Sequence, residues 1–221
     1  MEGDKLGDYL FSWQHSRAAD LIREETEVWQ AISKIAAYLP QLITQLPATY
    51  QEVMPGIWVG PETEIAPTAL IQGPAIIGAR CQIRHNAFVR NHVICGDEVV
   101  IGNATEVKNV ILFDGVQIPH FNYVGDSILG YKAHLGAGAI ISNYKAQGDE
   151  IHLWLNGQKM GSGLNKLGAL LGDHAEIGCN AVLYPGTIIG RRAIIYPLSP
   201  VRGSIAANTI VKQDGLAYPR R

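Results

Sequence analysis

The sequence lacks several features, and each absence removes a class of protein. It has no run of 18 apolar residues, which a membrane-spanning helix would need. Its three cysteines, Cys81, Cys95 and Cys179, have no paired spacing, so we expect no disulfide framework. A formal net charge of −2 gives no reason to expect nucleic acid or an acidic membrane as a partner. The N-terminal residues lack the basic and apolar segments of a secretory signal, so we expect a cytoplasmic protein.

What the 221 residues do contain is an internal repeat of six residues. A small or β-branched residue follows four positions after each aliphatic member of the repeat. A fixed internal period indicates a solenoid, and three hexapeptides per turn predict a triangular, parallel β-coil. The first members of the aliphatic series are Val59, Ile65, Ile71, Ile77, Ile83, Val89, Cys95, Ile101 and Val107.

The repeat divides the chain into parts. Residues 1–56 carry apolar residues at helical spacing, and we interpret them as an α-helical cap over the first open turn of the coil. Residues 57–215 form the coil. Within them, residues 143–170 lose the repeat, and Asn156-Gly157 between apolar residues predicts a projecting hairpin arm, which either covers neighbouring surface or acts as a lid. Residues 216–221 form a short tail.

Two cations stand out on the surface of the predicted coil. Residues 18 apart lie on neighbouring turns, about 4.8 Å apart across parallel strands. Arg90 and Lys108 have this spacing, at outward positions where most residues are small. An arginine fork above a lysine suits a phosphate group. The alternative is that the two side chains swing apart into water at little cost.

A candidate catalytic histidine lies where the repeat is interrupted. The period slips over residues 109–128, and loops that interrupt regular folds often carry chemistry. His120 lies in this stretch, and Glu106 shares a face with Lys108. A glutamate beside a histidine fixes its tautomer and raises its basicity, although spacing does not establish that these two meet. No histidine pair has a spacing that forces convergence on a metal, so we predict none.

A longer pattern between residues 101 and 144 is more specific than the hexapeptides. Together with Arg90, it resembles the acetyltransferase domain of the bifunctional N-acetylglucosamine-1-phosphate uridyltransferase / glucosamine-1-phosphate N-acetyltransferase family. The resemblance covers residues 57–215, and the stretch 145–170 is similar to longer, archaeal-type members. The matching residues are Ile101-Gly102-Asn103, Glu106, Lys108, His120, Tyr123, Gly125-Asp126, Leu135-Gly136-Ala137-Gly138 and Asn143-Tyr144.

The resemblance implies a left-handed parallel β-helix, a homotrimer with active sites between subunits, and acetyl transfer from acetyl-CoA to a hexosamine 1-phosphate, most simply glucosamine 1-phosphate. It implies that His120 is the general base and that Glu106 orients it. The implied sugar-phosphate contacts are Arg90, Lys108, Tyr123 and His134. The implied coenzyme contacts are Ala137, Asn143, Tyr144 and Cys179, with Arg202 or Arg220 as a further arginine.

The chain departs from the family pattern at several positions. His134 stands where the family has asparagine, and Cys179 where it has serine. Lys145-Ala146 follows the Asn-Tyr pair in place of Asp-Gly. The segment 1–56 is too short for the family's uridyltransferase domain and lacks its glycine-rich loop, so we expect no uridyltransferase activity from this chain.

The residues also leave alternatives open. The same fold could acylate another amino or hydroxyl acceptor, which His134 and the arm favour because both would reshape the acceptor pocket. A metal-dependent hydratase of the γ-carbonic anhydrase type would need three converging histidines. A scaffold or regulatory subunit would keep the coil without activity.

Overall fold

The structure is a computed structural model that describes residues 6–220; residues 1–5 and 221 lie outside the description. Three α-helices precede the coil: α1 (Leu6–Leu10), α2 (Ala19–Arg23) and α3 (Ala31–Thr44). Two 3₁₀ turns, Trp13–His15 and Val28–Gln30, lie between them. No helix in the described range is long and apolar enough to cross a membrane.

The rest of the described chain is built from short strands. In chain order they are β1 Gln51–Met54, β2 Ile57–Val59, β3 Glu64–Ile65, β4 Leu70–Ile71, β5 Ala75–Ile77, β6 Gln82–Ile83, β7 Phe88–Val89, β8 Val93–Cys95, β9 Val100–Asn103, β10 Glu106–Leu112, β11 Gln117–His120, β12 Tyr123–Leu129, β13 His134–Leu135, β14 Ile140–Ile141, β15 His152–Leu155, β16 Gln158–Gly161, β17 Ala169–Leu171, β18 Glu176–Ile177, β19 Val182–Leu183, β20 Thr187–Ile189, β21 Ile194–Ile195, β22 Pro200–Val201, β23 Ser204–Ile205, β24 Thr209–Val211 and β25 Ala217–Pro219.

These strands wind into a parallel coil with three faces, as predicted. Each turn visits the faces in the same order, and parallel pairing joins each strand to its equivalent on the next turn. The first face contains β2, β5, β8, β17, β20 and β23; the second contains β3, β6, β9, β11, β13, β18, β21 and β24; the third contains β4, β7, β14, β19 and β22. Strands β10 and β12 each span the third face and then the first.

The hexapeptide residues form the interior of the coil because strand side chains alternate in direction. Ile77, Ile83 and Val89, one from each face, are 0–1% exposed. The predicted slip is a shortening of the turn by a single residue. Glu106 pairs with Phe88 on the preceding turn and with Tyr123 on the following turn. The chain from Glu106 to Tyr123 is one residue shorter than the chain from Phe88 to Glu106.

The helical segment is present, but its predicted position over the end of the coil is wrong. Helix α3 packs on β5, β8, β10 and β12, along the side of the first face. The antiparallel strand β1 is what pairs with the first edge strand, β2. The reason is an outward aliphatic column that needs cover, since each member is 0–1% exposed: Ile76, Ile94, Ile111, Ile128, Leu170 and Ile188.

The segment before α2 runs along the corner between the first and second faces. The Tyr9 hydroxyl accepts a bond from the backbone N–H of Ala207, 2.7 Å away, and the His15 carbonyl accepts one from Asp114. Further along, the Arg17 guanidinium donates to the Asp97 carboxylate at 2.5 Å. The helical layer is therefore fastened to several turns of the coil.

Replacement of Asp97 by asparagine is expected to lower the free energy of unfolding by about 1 kcal/mol at pH 7. Burial raises the pKa of Asp97, but the Ala79 N–H and the Arg17 guanidinium lower it more, so the pKa is below its ordinary value. A lowered pKa stabilises the fold above the ordinary aspartate pKa, and the contribution disappears as pH falls through the lowered value. Urea unfolding at pH 7 and pH 3 checks this: the variant and the parent should differ less at pH 3.

The predicted hairpin is confirmed. Strands β15 and β16 pair antiparallel, and Asn156 and Gly157 both have positive φ, as a type I′ turn requires. The base of the arm packs on the coil rather than standing free, since Leu153 is fully buried and β15 contacts β20 and β23. The arm thus extends the cover of the first face beyond the reach of the helices. The predicted tail forms β25, which pairs antiparallel with β24.

Candidate active site

The third face ends at a corner where polar side chains lie on successive turns. The pairing of Val89 with Val107 places Arg90 directly beside Lys108 on the next turn, as their spacing predicted. The register continues this column through Gly125 and Ser142. Beyond the arm insertion, it continues through Tyr184 and Arg202. We call these positions the corner column.

Both cations of the predicted phosphate site are already paired with carboxylates. The Arg90 guanidinium donates to the Glu106 carboxylate at 2.9 Å, and the Lys108 ammonium lies 3.2 Å from the Asp126 carboxylate. Within one chain the Glu106 carboxylate is bound to Arg90, so the role of Glu106 in orienting His120 stays a prediction. Among residues 6–220, no hydrogen bond joins the side chains of Glu106 and His120.

Asp126 is the centre of this cluster. Its side chain is 5% exposed and accepts bonds from Lys108, from Asn109 at 2.8 Å and from the Asn143 amide. Three donors around one carboxylate compensate for its burial. The amide of Asn109 also donates to the carbonyl of Ile32 in α3, at 3.3 Å. Asn109 therefore links the helical layer to the polar cluster by hydrogen bonds.

The Tyr123 side chain lies near the Arg90–Glu106 and Lys108–Asp126 pairs, with its hydroxyl next to Gly125. Burial raises the pKa of the Tyr123 phenol, and the carboxylates of Asp126 and Glu106 raise it further, so it stays a hydrogen-bond donor. A Cβ atom at Gly125 would lie 2.6 Å from both the Tyr123 hydroxyl and the Asn143 amide nitrogen. A larger residue at Gly125 would therefore displace these two polar groups from their present positions.

His120 lies at the opposite edge of the third face, where the chain turns from the second face. It pairs with Asn103 on the preceding turn, and the stacking continues to Ala137 and Cys179 on the following turns. The His120 side chain is exposed. The residues predicted for the site thus form two groups in one chain: His120, Ala137 and Cys179 at one edge, and the corner column with Asn143 at the other.

Two further predicted contacts are placed as follows. His134 lies on the second face, and its Nδ1 atom is 2.8 Å from the Glu176 carboxylate on the next turn. In one chain it is therefore outside the Arg90–Lys108 cluster. Tyr144 follows Asn143 and is 50% exposed at the start of the arm. In the part of the chain that the structure describes, no group of three His, Cys, Asp or Glu side chains could hold a metal ion.

The chain is similar in sequence to several known proteins. A family model described as the GMPPB C-terminal domain matches residues 71–156. The bifunctional sugar-1-phosphate nucleotidylyltransferase/acetyltransferase of Sulfurisphaera tokodaii is 35% identical over 127 residues, which are 58% of this chain and 32% of that protein. The bifunctional protein GlmU of Desulfitobacterium hafniense is 31% identical over 152 residues, which are 69% of this chain and 29% of that protein.

The predicted resemblance is confirmed. The matches cover 58–69% of this chain, and the chain spans about a third of the length of the curated relatives that it matches. Among solved structures, AntD, an N-acyltransferase from Bacillus cereus in complex with dTDP-4-amino-4,6-dideoxyglucose and coenzyme A, gives a TM-score of 0.40 at 19% identity, over 70% of this chain and 77% of that chain.

Asp126 and Asn109 are the site residues that the sequence reasoning missed. Asp126 was part of the motif but had no role. It directly follows Gly125, the register partner of Lys108, so the register of the shortened turn places it near Lys108. The role of Asn109 was not visible, because it depends on a bond to a helix carbonyl.

Proposed function

We propose that this chain is an acyltransferase that moves the acetyl group of acetyl-CoA to the amine of a hexosamine 1-phosphate, with glucosamine 1-phosphate as the first candidate. The observation that carries the proposal is the stack of Arg90 on Lys108, with Tyr123 and Asn143 within the same polar cluster. The curated relatives are named as nucleotidylyltransferase/acetyltransferases, which supports this class of reaction.

A substrate phosphate can bind in the polar cluster by replacing a carboxylate that is now bound to one of the cations. A phosphate entering beside Arg90 competes with Glu106, which is about one-third exposed and can move toward solvent. Lys108 is held by the buried Asp126 and therefore stays in place as a fixed point charge. Tyr123, which keeps its proton, donates to a sugar or phosphate oxygen. Substrate phosphate thus gains a bidentate partner and a positioned ammonium without requiring a new cation.

His120 is the proposed general base. Its imidazole accepts a proton from the sugar amine as the nitrogen attacks the thioester carbonyl carbon. The tetrahedral oxyanion then collapses, the carbon–sulfur bond breaks, and the coenzyme thiolate leaves and takes up the proton. The products are the N-acetylated sugar phosphate and CoA. Ala137 and Cys179 share the edge of His120, so we place part of the coenzyme along that edge, with Asn143 and Tyr144 at the other.

A homotrimer would bring the two groups of residues together across a cleft between neighbouring subunits. Within one chain, His120 and the corner column lie at opposite edges of the third face. The first face is covered by the helices and the arm, which leaves the second and third faces for partner copies. Phe121 and Leu198 are 61% and 64% exposed at the His120 edge, and exposed apolar side chains of this size favour a subunit contact there.

Thiol release from acetyl-CoA tests the proposed reaction. We expect turnover with glucosamine 1-phosphate or galactosamine 1-phosphate, and none with the unphosphorylated sugars, because these lack the phosphate that would contact Arg90 and Lys108. Light scattering on the same sample should give three times the chain mass of 24.0 kDa. The substrate assignment fails if a folded trimer leaves every amino-sugar phosphate unacetylated.

A different acceptor is the second candidate, and one contact favours it. Since the His134 imidazole is hydrogen-bonded to the Glu176 carboxylate, it presents an imidazole–carboxylate pair where the family pattern has an amide. Turnover with a different amino or hydroxyl acceptor, and none with hexosamine phosphates, would identify this alternative.

A further inference from the structure

A groove of about 340 Å³ lies between the arm and the last turns of the coil. It is lined by the cations Lys145, Lys159 and Arg202, by His152 and Trp154, and by a single carboxylate, Asp149. Three permanent cations against one carboxylate give a positive groove on a chain whose formal net charge is −2. A concave positive site of this kind attracts anions.

The cations of this groove differ from those of the candidate active site in one respect. Arg90 and Lys108 each have a carboxylate partner, whereas Lys145, Lys159 and Arg202 form no salt bridge within residues 6–220. Lys145 donates to the backbone carbonyl of Glu150 at 2.5 Å, which orients its ammonium without neutralising it. An anion that enters the groove therefore meets charges that are not already paired.

Aromatic surface lies beside this charge. Trp154 is 43% exposed, and its backbone is fixed because its carbonyl accepts a bond from the Ser204 hydroxyl. Gly203 has a φ of 83°, a conformation that glycine favours, and the atoms nearest to its ideal Cβ position belong to Trp154, so the indole lies against the coil. Arg202 lies over the ring of Tyr184, which is also 43% exposed. A planar base could stack on Trp154 while its phosphates meet the cations.

The groove is continuous with the candidate active site along the corner column. Ser142, Tyr184 and Arg202 occupy successive turns of that column, so Arg202 is about 10 Å from Ser142, at about 4.8 Å per turn. Asn143 and Tyr144 connect the column to the first residue of the groove, Lys145. One extended molecule can therefore contact both places.

We propose that this groove binds the phosphates of a nucleotide, with the base against Trp154. This proposal extends the proposed function and rests on it for the identity of the molecule that carries the nucleotide. That molecule is either coenzyme A or a nucleotide-linked sugar. The chemistry is the same for both sources, namely a nucleoside phosphate held by Lys145, Lys159 and Arg202.

Direct binding tests this without turnover. Calorimetric titration of the full chain with adenosine 3′,5′-bisphosphate, UDP and inorganic phosphate should show binding of at least one nucleotide and weaker binding of phosphate. The K159Q/R202Q double variant should lose affinity by about tenfold or more, which equals about 1.4 kcal/mol. Lys132→Gln, an exposed cation outside the groove, is the matched control and should bind like the parent.

The remaining outcomes separate the possible sources. Tighter binding of the adenosine bisphosphate indicates the coenzyme, and tighter binding of UDP indicates a nucleotide sugar. Trp154→Ala should weaken nucleotide binding and leave inorganic phosphate unchanged. No nucleotide binding by the parent, equal affinity for phosphate, or unchanged affinity in the double variant overturns the proposal. None of these readouts needs acetyl transfer, so failure of the groove and failure of the proposed reaction are distinguishable.

Discussion

Replacement of His120 by alanine is expected to remove acetyl transfer while the coil and its assembly stay intact. A positioned general base contributes about 10²–10⁴-fold to a rate, so kcat should fall by that factor. The fold should tolerate the change because the His120 side chain is exposed and forms no hydrogen bond within the described part of the chain. Thiol release under saturating substrates measures the loss.

His85 offers a matched control for this experiment. It occupies the same edge two turns earlier, where its backbone carbonyl accepts a bond from Asn103, the register partner of His120. His85→Ala removes the same side chain from an equivalent position and should leave kcat within about twofold of the parent, since it has no proposed role. Undiminished turnover in His120→Ala, or an equal loss in His85→Ala, would reject His120 as the base.

The coil could be predicted because its repeat is set by the interior. A side chain that points inward on every turn must be apolar and must recur at the length of one face, so Ile77 and Ile83 report the architecture directly. The same logic also gives the stacking of Arg90 on Lys108, since both lie before the slip, where each turn still consists of three full hexapeptides.

The position of the helices could not be predicted from the inward residues alone. Its signal lies in the outward ones: Trp58, Ile76 and Ile94 recur once per turn, and each directly precedes an interior position. An aliphatic column on an outward face requires cover, which the amphipathic helix supplies. The small residues that follow each interior position give no sign of this face, whereas the open edge of the first turn favours a cap at the end of the coil.

The charge pairing within the site was hidden for a different reason. Once the turn shortens by a single residue, outward positions no longer align at a constant spacing, and the partner of Glu106 depends on side-chain reach rather than on register. Glu106 pairs in register with Tyr123, yet its carboxylate binds Arg90 on the preceding turn. The repeat predicts which residues are neighbours on the surface of the coil. It does not predict which of several neighbouring groups a flexible carboxylate binds.

The largest stability effect is expected at Asp126. Its replacement by alanine leaves the Lys108 ammonium, 17% exposed, without a carboxylate, and removes the acceptor that joins Asn109 and Asn143. Breaking a buried ion pair from one side costs about 3–5 kcal/mol, because an uncompensated charge stays behind. Urea unfolding at a fixed chain concentration should show a loss of this size, and acetyl transfer should fall because Lys108 is no longer held.

A second pair and a second substitution make this result specific. Arg80 and Glu98 are 3.0 Å apart on the surface, with side chains 48% and 59% exposed, so Glu98→Ala should cost far less stability than Asp126→Ala. Adding Lys108→Met to Asp126→Ala should recover part of the lost stability, since the stranded cation is gone, but not the activity. If Asp126→Ala costs no more than Glu98→Ala, the Lys108–Asp126 pair does not organise the site, and the fixed ammonium of the proposed phosphate site must have another support.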